Sequence, residues 1–532
     1  LSHDRLQCLA SGELTPLWWT EMVPGDVFTV RYSGFMRLLA LASPMLQRED
    51  IFIRAFFVPF RILANQDDVD KLFAGSKSGE HYDTPFLNCS LSNMTVGSLY
   101  DALELPLPYS WNSSTNSWVF DGSDSDFYPE VSAFPFLAYH RIYHDHFRNE
   151  ETQDDYLDAF KCHFDEFDSM RTDDFVPGSN RSCTFDSIHK VCWERDYFTS
   201  ALASPQRGNQ VNIPLIGSAP VEVDGINLNG SPLSPGTSYA GDSVNIGANR
   251  NLYPSSGNQD NKLSFTGTID GSSFTGIGAI ALRLAMNLQA FMERNNIAGY
   301  RMIGNTLAHF GVQSSNKLQD EAQYLGGIKA PITISAVTQT SATQEASGLT
   351  STPQGTQVGQ AQASFVDTLF SNFRTEERGI LMIVGYINAK PSYSQGLPRK
   401  WTRRSYLDYY WPEFQTIGEQ EILNQEVYFK FFENAEGNNI NENTWAYQSR
   451  YSEYKYEPDS LGGEFRTSLS YWHQSRLFSD LPVFNDEFVK SNPSDRVFAV
   501  NTETYPRPYL LESYFEVDTV RPMSKYAQSK LW

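Results

Sequence analysis

Two alternating apolar runs near the start of the chain, DVFTVRYSGFMRLLALASPML at 26–46 and DIFIRAFFVPFRIL at 50–63, restrict the fold more than any other feature of the sequence. Successive side chains of a strand point to opposite faces, so Phe, Val and Ile at period two predict strands lying against a core. Pro44 and Pro59 fall near the ends of these runs, and proline, which has no N–H to give a ladder, belongs at a strand edge or bend. Alternation returns at 509–520, where YLLESYFEVDTV sets Leu511, Phe515 and Val517 against Glu512, Glu516 and Asp518. That segment reads as a half-exposed closing strand. GILMIVGYINA at 379–389 is instead apolar almost throughout, as a strand covered on both faces is.

Helical patches are expected at 134–149 (FPFLAYHRIYHDHFRN) and 277–298 (IGAIALRLAMNLQAFMERNNIA). The second places Ile280, Leu284, Leu288, Phe291 and Met292 on one stripe, with Gly299 where a terminating glycine belongs. Strand and helix do not alternate regularly, which disfavours a doubly wound α/β fold. Strands at both ends with helices and loops between predict one elaborated β-domain over residues 1–532. Two stretches depart from this pattern. Residues 220–275 are rich in Gly, Ser, Asn, Pro and Asp, and a loop of that length is functional or disordered. Residues 338–364 are rich in Thr, Gln and Ser and read as an extended arm.

The formal charge of −22 opposes capture of nucleic acid by the overall field and leaves room for a local basic patch. No apolar run approaches the length of a membrane span, so none is expected. Leu1 is not a natural start, and residues are expected to precede it. Five cysteines far apart, with no CxxC, read as free thiols rather than a disulfide framework or zinc site.

The search for chemistry returns little. HRIYHDH sets His140 and His144 four apart, the spacing of a zinc helix, with Asp145 and His146 beside them. Arg141 stands where the usual Glu would follow the first His, and no distant third ligand is marked, so an interface or surface helix is expected and no metal. TGIGAI at 275–280 lacks the third glycine of a dinucleotide turn, GSKSG at 75–79 lacks phosphate-loop spacing, and GxSxG is absent. The paired carboxylates read as a solvated face. RKWTRR at 399–404 is the one basic cluster to stand out: Arg399, Lys400, Arg403 and Arg404 surround Trp401. Cations beside an indole can hold phosphates while a base stacks, or they can pair with carboxylates across a subunit interface.

Several stretches in fixed order carry a resemblance: PLWWTEMVPGDVFTVRYSGFMRL with FFVPFR, RDYFTSALASPQRG followed by VNIPLIGSAPV, QYLGGIKAPITISAVTQTSAT, YSQGLPRKWTRRSYLDYYWPEFQTIGEQEILNQEVY, RYSEYKYEPDSLGGEFR and VDTVRPM. Together, from about residue 14 to 523, they resemble the major capsid protein of microviruses, the small single-stranded DNA bacteriophages, and the gokushovirus-like branch in particular. The resemblance implies a mainly β fold, an eight-stranded antiparallel jelly roll with long loop and helical insertions, no enzymatic activity and no cofactor. It implies sixty copies in a T=1 shell around circular single-stranded DNA, assembled in the bacterial cytoplasm. The partners it implies are a small basic DNA-binding protein, a minor pilot protein and a host-surface receptor. The polar segment Val221 to Ser273 sits where such proteins carry an insertion building protrusions at the threefold axes. A β-rich carbohydrate-active enzyme or sugar-binding protein is the alternative from the residues alone.

Within RDYFTSALASPQRG, Asp196, Tyr197, Thr199 and Ser200 meet no base, nucleophile or oxyanion donor that would complete a catalytic loop. Ser204-Pro205 is extended because the residue before proline avoids the helical region, and Gly208 frees the chain beyond. Asp196, Tyr197, Phe198 and Arg207 are expected at a subunit interface, the rings supplying burial.

Overall fold

A computed structural model describes residues 1–63, 66–75, 84, 86–88, 93–120, 130–153, 187–208, 221–228, 231–232, 244–246, 252–254, 263–269, 279–338, 355, 357–431, 440–500 and 504–523. Where a single domain is expected, the chain divides into two compact units, one of Leu1–Pro205 with Asn295–Trp532 and one of Gln206–Arg294.

Nine strands frame the first unit: β1 (His3–Leu9), β2 (Thr15–Met22), β3 (Val27–Leu38), β4 (Glu49–Pro59), β5 (Gln323–Pro331), β6 (Thr333–Thr338), β7 (Gln357–Arg374), β8 (Gly379–Ala389) and β9 (Tyr509–Val520). They form two antiparallel sheets, of order β1-β9-β3-β7-β6 and β5-β4-β8-β2. Leaving the edge strand β6 aside, the first strand pairs with the last, the second with the next to last, the third with β7 and the fourth with β5. One long antiparallel ribbon wound over itself gives this order, which is consistent with the expected jelly roll.

The two alternating runs become β3 and β4, and the closing strand becomes β9, which buries Leu511, Phe515 and Val517 while Glu512 and Asp518 face outward. One core lies between the sheets, joining Phe28, Val30 and Tyr32 of β3 and Phe515 of β9 to Ile51, Ile53 and Phe57 of β4 and Leu381 and Ile383 of β8. A second core covers the other face of the four-stranded sheet. There Ile380, Met382, Val384 and Tyr386 of β8, with Phe52 and Phe56 of β4, meet helix α1 (Phe134–His146) through Phe134, Leu137 and Ile142. All eleven residues of β8 are therefore buried, the reason its sequence is continuously apolar. Each such Ile, Met or Phe contributes roughly 1.5–3 kcal/mol.

Glu49, at the start of β4, is fully buried beside the start of β9, and its Oε1 accepts a hydrogen bond from Tyr509 Oη at 2.8 Å. Burial pushes its carboxyl up to about 7, against the bonds from Tyr509 and Gln474 that favour the charged form.

Helix α1 departs from expectation. It is neither a surface nor an interface helix, because every residue from Phe134 to Asp145 is buried within the chain. Of the arm expected at 338–364, residues 339–354 lie outside the described residues; Gln357–Arg374 is strand β7, and residues 357–362 of it pair in register with the edge strand β6.

The second unit holds antiparallel strands inside the polar segment, Val221–Leu228 paired with Leu263–Ile269 and Ser231–Pro232, and Val244–Ile246 paired with Leu252–Pro254. A long loop is expected there; among the described residues five strands are found, and the alternation of Val221 and Val223 with Glu222 and Asp224 is a sequence signal for the first of them. Helix α2 (Ala279–Ala298) ends as expected, with Gly299 left-handed at φ 78°. Of its apolar stripe, Ile280, Leu284, Leu288 and Phe291 are exposed, Ile280 at 83% and Leu284 at 67%.

Candidate functional site

The loop at 195–203 and the basic stretch at 399–404 meet at a small third core. Asp196 shapes the loop: Oδ1 accepts from the Phe198 and Thr199 N–H groups at 2.9 and 2.7 Å and from the Thr199 hydroxyl at 2.9 Å, an Asx turn. Its Oδ2 accepts from Tyr393 Oη at 2.8 Å. This turn sends Tyr197 and Phe198 inward, where they pack with Tyr393, Ile422, Val427, Ala446 and Phe488. Gln448 Nε2 closes the loop by donating to the Tyr197 carbonyl at 3.1 Å and to Ser200 Oγ at 2.9 Å.

Tyr197 and Phe198 are 4% and 3% exposed, so their rings fill a core of their own subunit, while half-buried Asp196 holds the turn with Oδ1 and Tyr393 with Oδ2. Arg207 is half-buried, and Gly208 takes φ 91°, a left-handed value that frees the chain as expected.

Tyr197 Oη donates to Glu426 Oε2 at 3.0 Å, and the Leu423 N–H donates to Glu426 Oε1 at 3.0 Å. Burial raises both the Tyr197 phenol and the Glu426 carboxyl, and the Arg399 guanidinium opposes both shifts. The phenol therefore stays protonated and acts as a fixed donor. Arg399 also donates to the Glu421 carbonyl at 2.6 Å.

This pair lies at the base of a cleft of ≈ 630 Å³ walled by Trp401, Arg403, Tyr454, Tyr456 and Arg466. Most of the positive charge is balanced inside the chain. Arg399 stands 3.4 Å from Glu426, Lys400 2.7 Å from Glu457 and Arg403 3.4 Å from Glu453. Lys400 accordingly draws the exposed Glu457 carboxyl below its ordinary value. Arg403 lies over the Tyr454 ring at 4.2 Å and the Tyr409 ring at 5.5 Å. Trp401, 71% exposed, and Arg404 remain open to solvent. The cluster is thus an aromatic platform with little net charge, since Glu426, Glu453 and Glu457 offset three of its four cations.

The histidine motif forms a structural network. His140 Nδ1 lies 2.8 Å from His189 Nε2, and both rings are buried. Asp145 accepts from Arg141 Nε at 2.7 Å and the Ala322 N–H at 2.8 Å, with His144 Nδ1 at 2.9 Å. Burial alone would raise the Asp145 carboxyl; the bond to His144 and the Arg141 guanidinium outweigh it and hold the group at about 2. Among the described residues no group of His, Cys, Asp and Glu could hold a metal ion, and no helix is long and apolar enough to cross a membrane.

Residues 1–531 match the family described as capsid protein (F protein). The chain belongs to that capsid family. It is 30% identical to capsid protein VP1 of Bdellovibrio phage phiMH2K, over 97% of this chain and 91% of that protein. It is 27% identical to capsid protein VP1 of Chlamydia phage 1, over 99% and 94%, and 24% identical to capsid protein VP1 of Spiroplasma virus 4, over 99% and 94%. The family consists of structural shell proteins rather than enzymes, so this chain is a major capsid protein and a component of a virion. The buried Asp, His and Tyr networks are accordingly the scaffold of a subunit. The exposed aromatics Tyr406, Tyr409, Tyr410 and Trp411 are surface features that reading the charge pattern passed over, although the run YLDYYWP displays them.

Proposed function

We propose that sixty copies of this chain assemble in the bacterial cytoplasm into a T=1 icosahedral shell around circular single-stranded DNA. The observation that carries the reading is the match of the whole chain to the capsid family, supported by the wound two-sheet order of its strands. The exposed apolar stripe of α2 supports subunit contact, since a helix this apolar is stable when covered. Arg207 is a candidate for the same contact.

Contact with the genome rests on Trp401 and Arg404, because Arg399, Lys400 and Arg403 are already matched by carboxylates. An indole stacks any base, and a chain of net charge −22 leaves most neutralisation of the genome to a small basic protein. A pilot protein completes the virion. The segment 221–273 forms protrusions at the threefold axes and takes part in attachment to a host receptor; its polar composition and its own strands support that reading.

Electron microscopy of the purified protein tests the assembly, with recovery of nuclease-protected circular single-stranded DNA from the same preparation. Uniform small spheres holding such DNA are expected. A monomer, or a shell without protected DNA, overturns the reading.

A further inference from the structure

Each sheet has two edges, and an edge strand carries unpaired N–H and C=O groups that invite another strand unless something guards them. Three of the four edges are guarded. Strand β1 bears Asp4 and Arg5, and Arg5 donates to the carbonyls of Leu17 and Ala102, both at 2.7 Å. Strand β2 has its Pro16 and Leu17 carbonyls taken by Gln7 and Arg5 and a register shift opposite it at Ile383/Val384. Strand β5 carries Lys329 and Pro331 and a register shift at Tyr324/Gly326, and a side chain at Gly326 would strike the Leu369 carbonyl of β7.

Strand β6, TISAVT, has none of these devices. It pairs with β7 over six residues without a bulge, contains no charge and no proline, and all its residues but Ile334 are exposed, Val337 at 47%. It is the one unguarded edge of the two sheets among the described residues. The sequence around it is independently unusual. Between Lys329 and Asp367 there is a single charged residue, Glu345, where 20% of these 37 positions would give about seven. Two copies of a chain with net charge −22 repel over most of their surfaces, and an uncharged strand is a place where they can approach.

We propose that β6 is a contact between copies, pairing antiparallel with β6 of a second copy across a twofold axis and joining two five-stranded sheets into one. The proposal rests on the shell-forming reading, which supplies the second copy. A twofold contact is self-complementary, and an uncharged strand meets its own copy without opposing like charges. Backbone hydrogen bonds would supply the affinity, as in strand addition generally.

Twofold antiparallel pairing sets one residue opposite its own copy, with Cα atoms about 4.5–5.5 Å apart, a separation that a disulfide spans. Single cysteines at 334 to 338 (Ile334→Cys through Thr338→Cys) in assembled particles are therefore expected to give a covalent dimer at one position, fading to either side, and above the unsubstituted protein's background. A Ser335→Lys, Val337→Lys double variant should fold, because both positions are exposed, and lower particle yield about tenfold, since a charge on an edge strand guards it against pairing. Particles that form normally but cross-link at none of the five positions overturn the pairing and leave the shell reading standing. An unsubstituted chain that forms no particles overturns both.

Discussion

Replacing Glu49 by Gln should make the subunit more stable at neutral and alkaline pH, a counter-intuitive result for a fully buried group bonded to Tyr509. Its carboxyl is raised from an ordinary 4.5 to about 7, chiefly by burial. Between those values the folded chain keeps a proton that the unfolded chain has lost. The stability linked to this proton is therefore fully present below about pH 4.5 and is lost as pH rises through about 7. A shift of 2.5 units at about 1.4 kcal/mol each comes to about 3 kcal/mol of ionisation cost above pH 7. Gln carries no charge at any pH, fills nearly the same volume and still accepts from the Tyr509 hydroxyl. Urea unfolding of the dissociated subunit at intervals between about pH 4.5 and 8.5 reads the effect through the midpoint at constant slope. The two proteins should differ little at the acid end and diverge until the variant leads by about 3 kcal/mol. Parallel curves across the range, or a variant weaker at about pH 8, would refute the reasoning.

Phe198→Ala should destabilise the subunit by about 3–5 kcal/mol, because the ring is buried against Tyr393 and Trp445; thermal unfolding of the unassembled subunit measures it, and an unchanged midpoint would return the ring to the surface. Asp145, held at about 2 against an ordinary 3.8, contributes stability above about pH 4 that is lost as pH falls toward 2, about 2 kcal/mol in all. Asp145→Asn should lose stability at neutral pH and flatten the acid limb, and an acid limb as steep as before would refute this assignment.

The strands were legible because alternation reports which side of a chain is wet. Leu511, Phe515 and Val517 could be assigned to the core from spacing alone. β8 was legible for the opposite reason, since a strand between two cores has no wet side. Helix α1 was misread as a surface element because Arg141, His144 and Asp145 look solvated until they are seen to satisfy one another. The fate of RKWTRR was hidden by distance: Glu426, Glu453 and Glu457 reach it only after the chain has folded back. The rings of Tyr197 and Phe198 signal burial in the sequence, but composition does not say whether the covering atoms belong to the same copy.

The place of β9 in its sheet bears on when the subunit can exist during synthesis. Residues 509–520 are inserted between β1 and β3, so the two earliest members of the sheet are joined only through a strand made long after both. Contact order this high makes folding slow and leaves strand edges open in the nascent chain. A ribosome-bound fragment ending before Tyr509 cannot close its five-stranded sheet, so a subunit with that sheet complete arises only after β9 has been made.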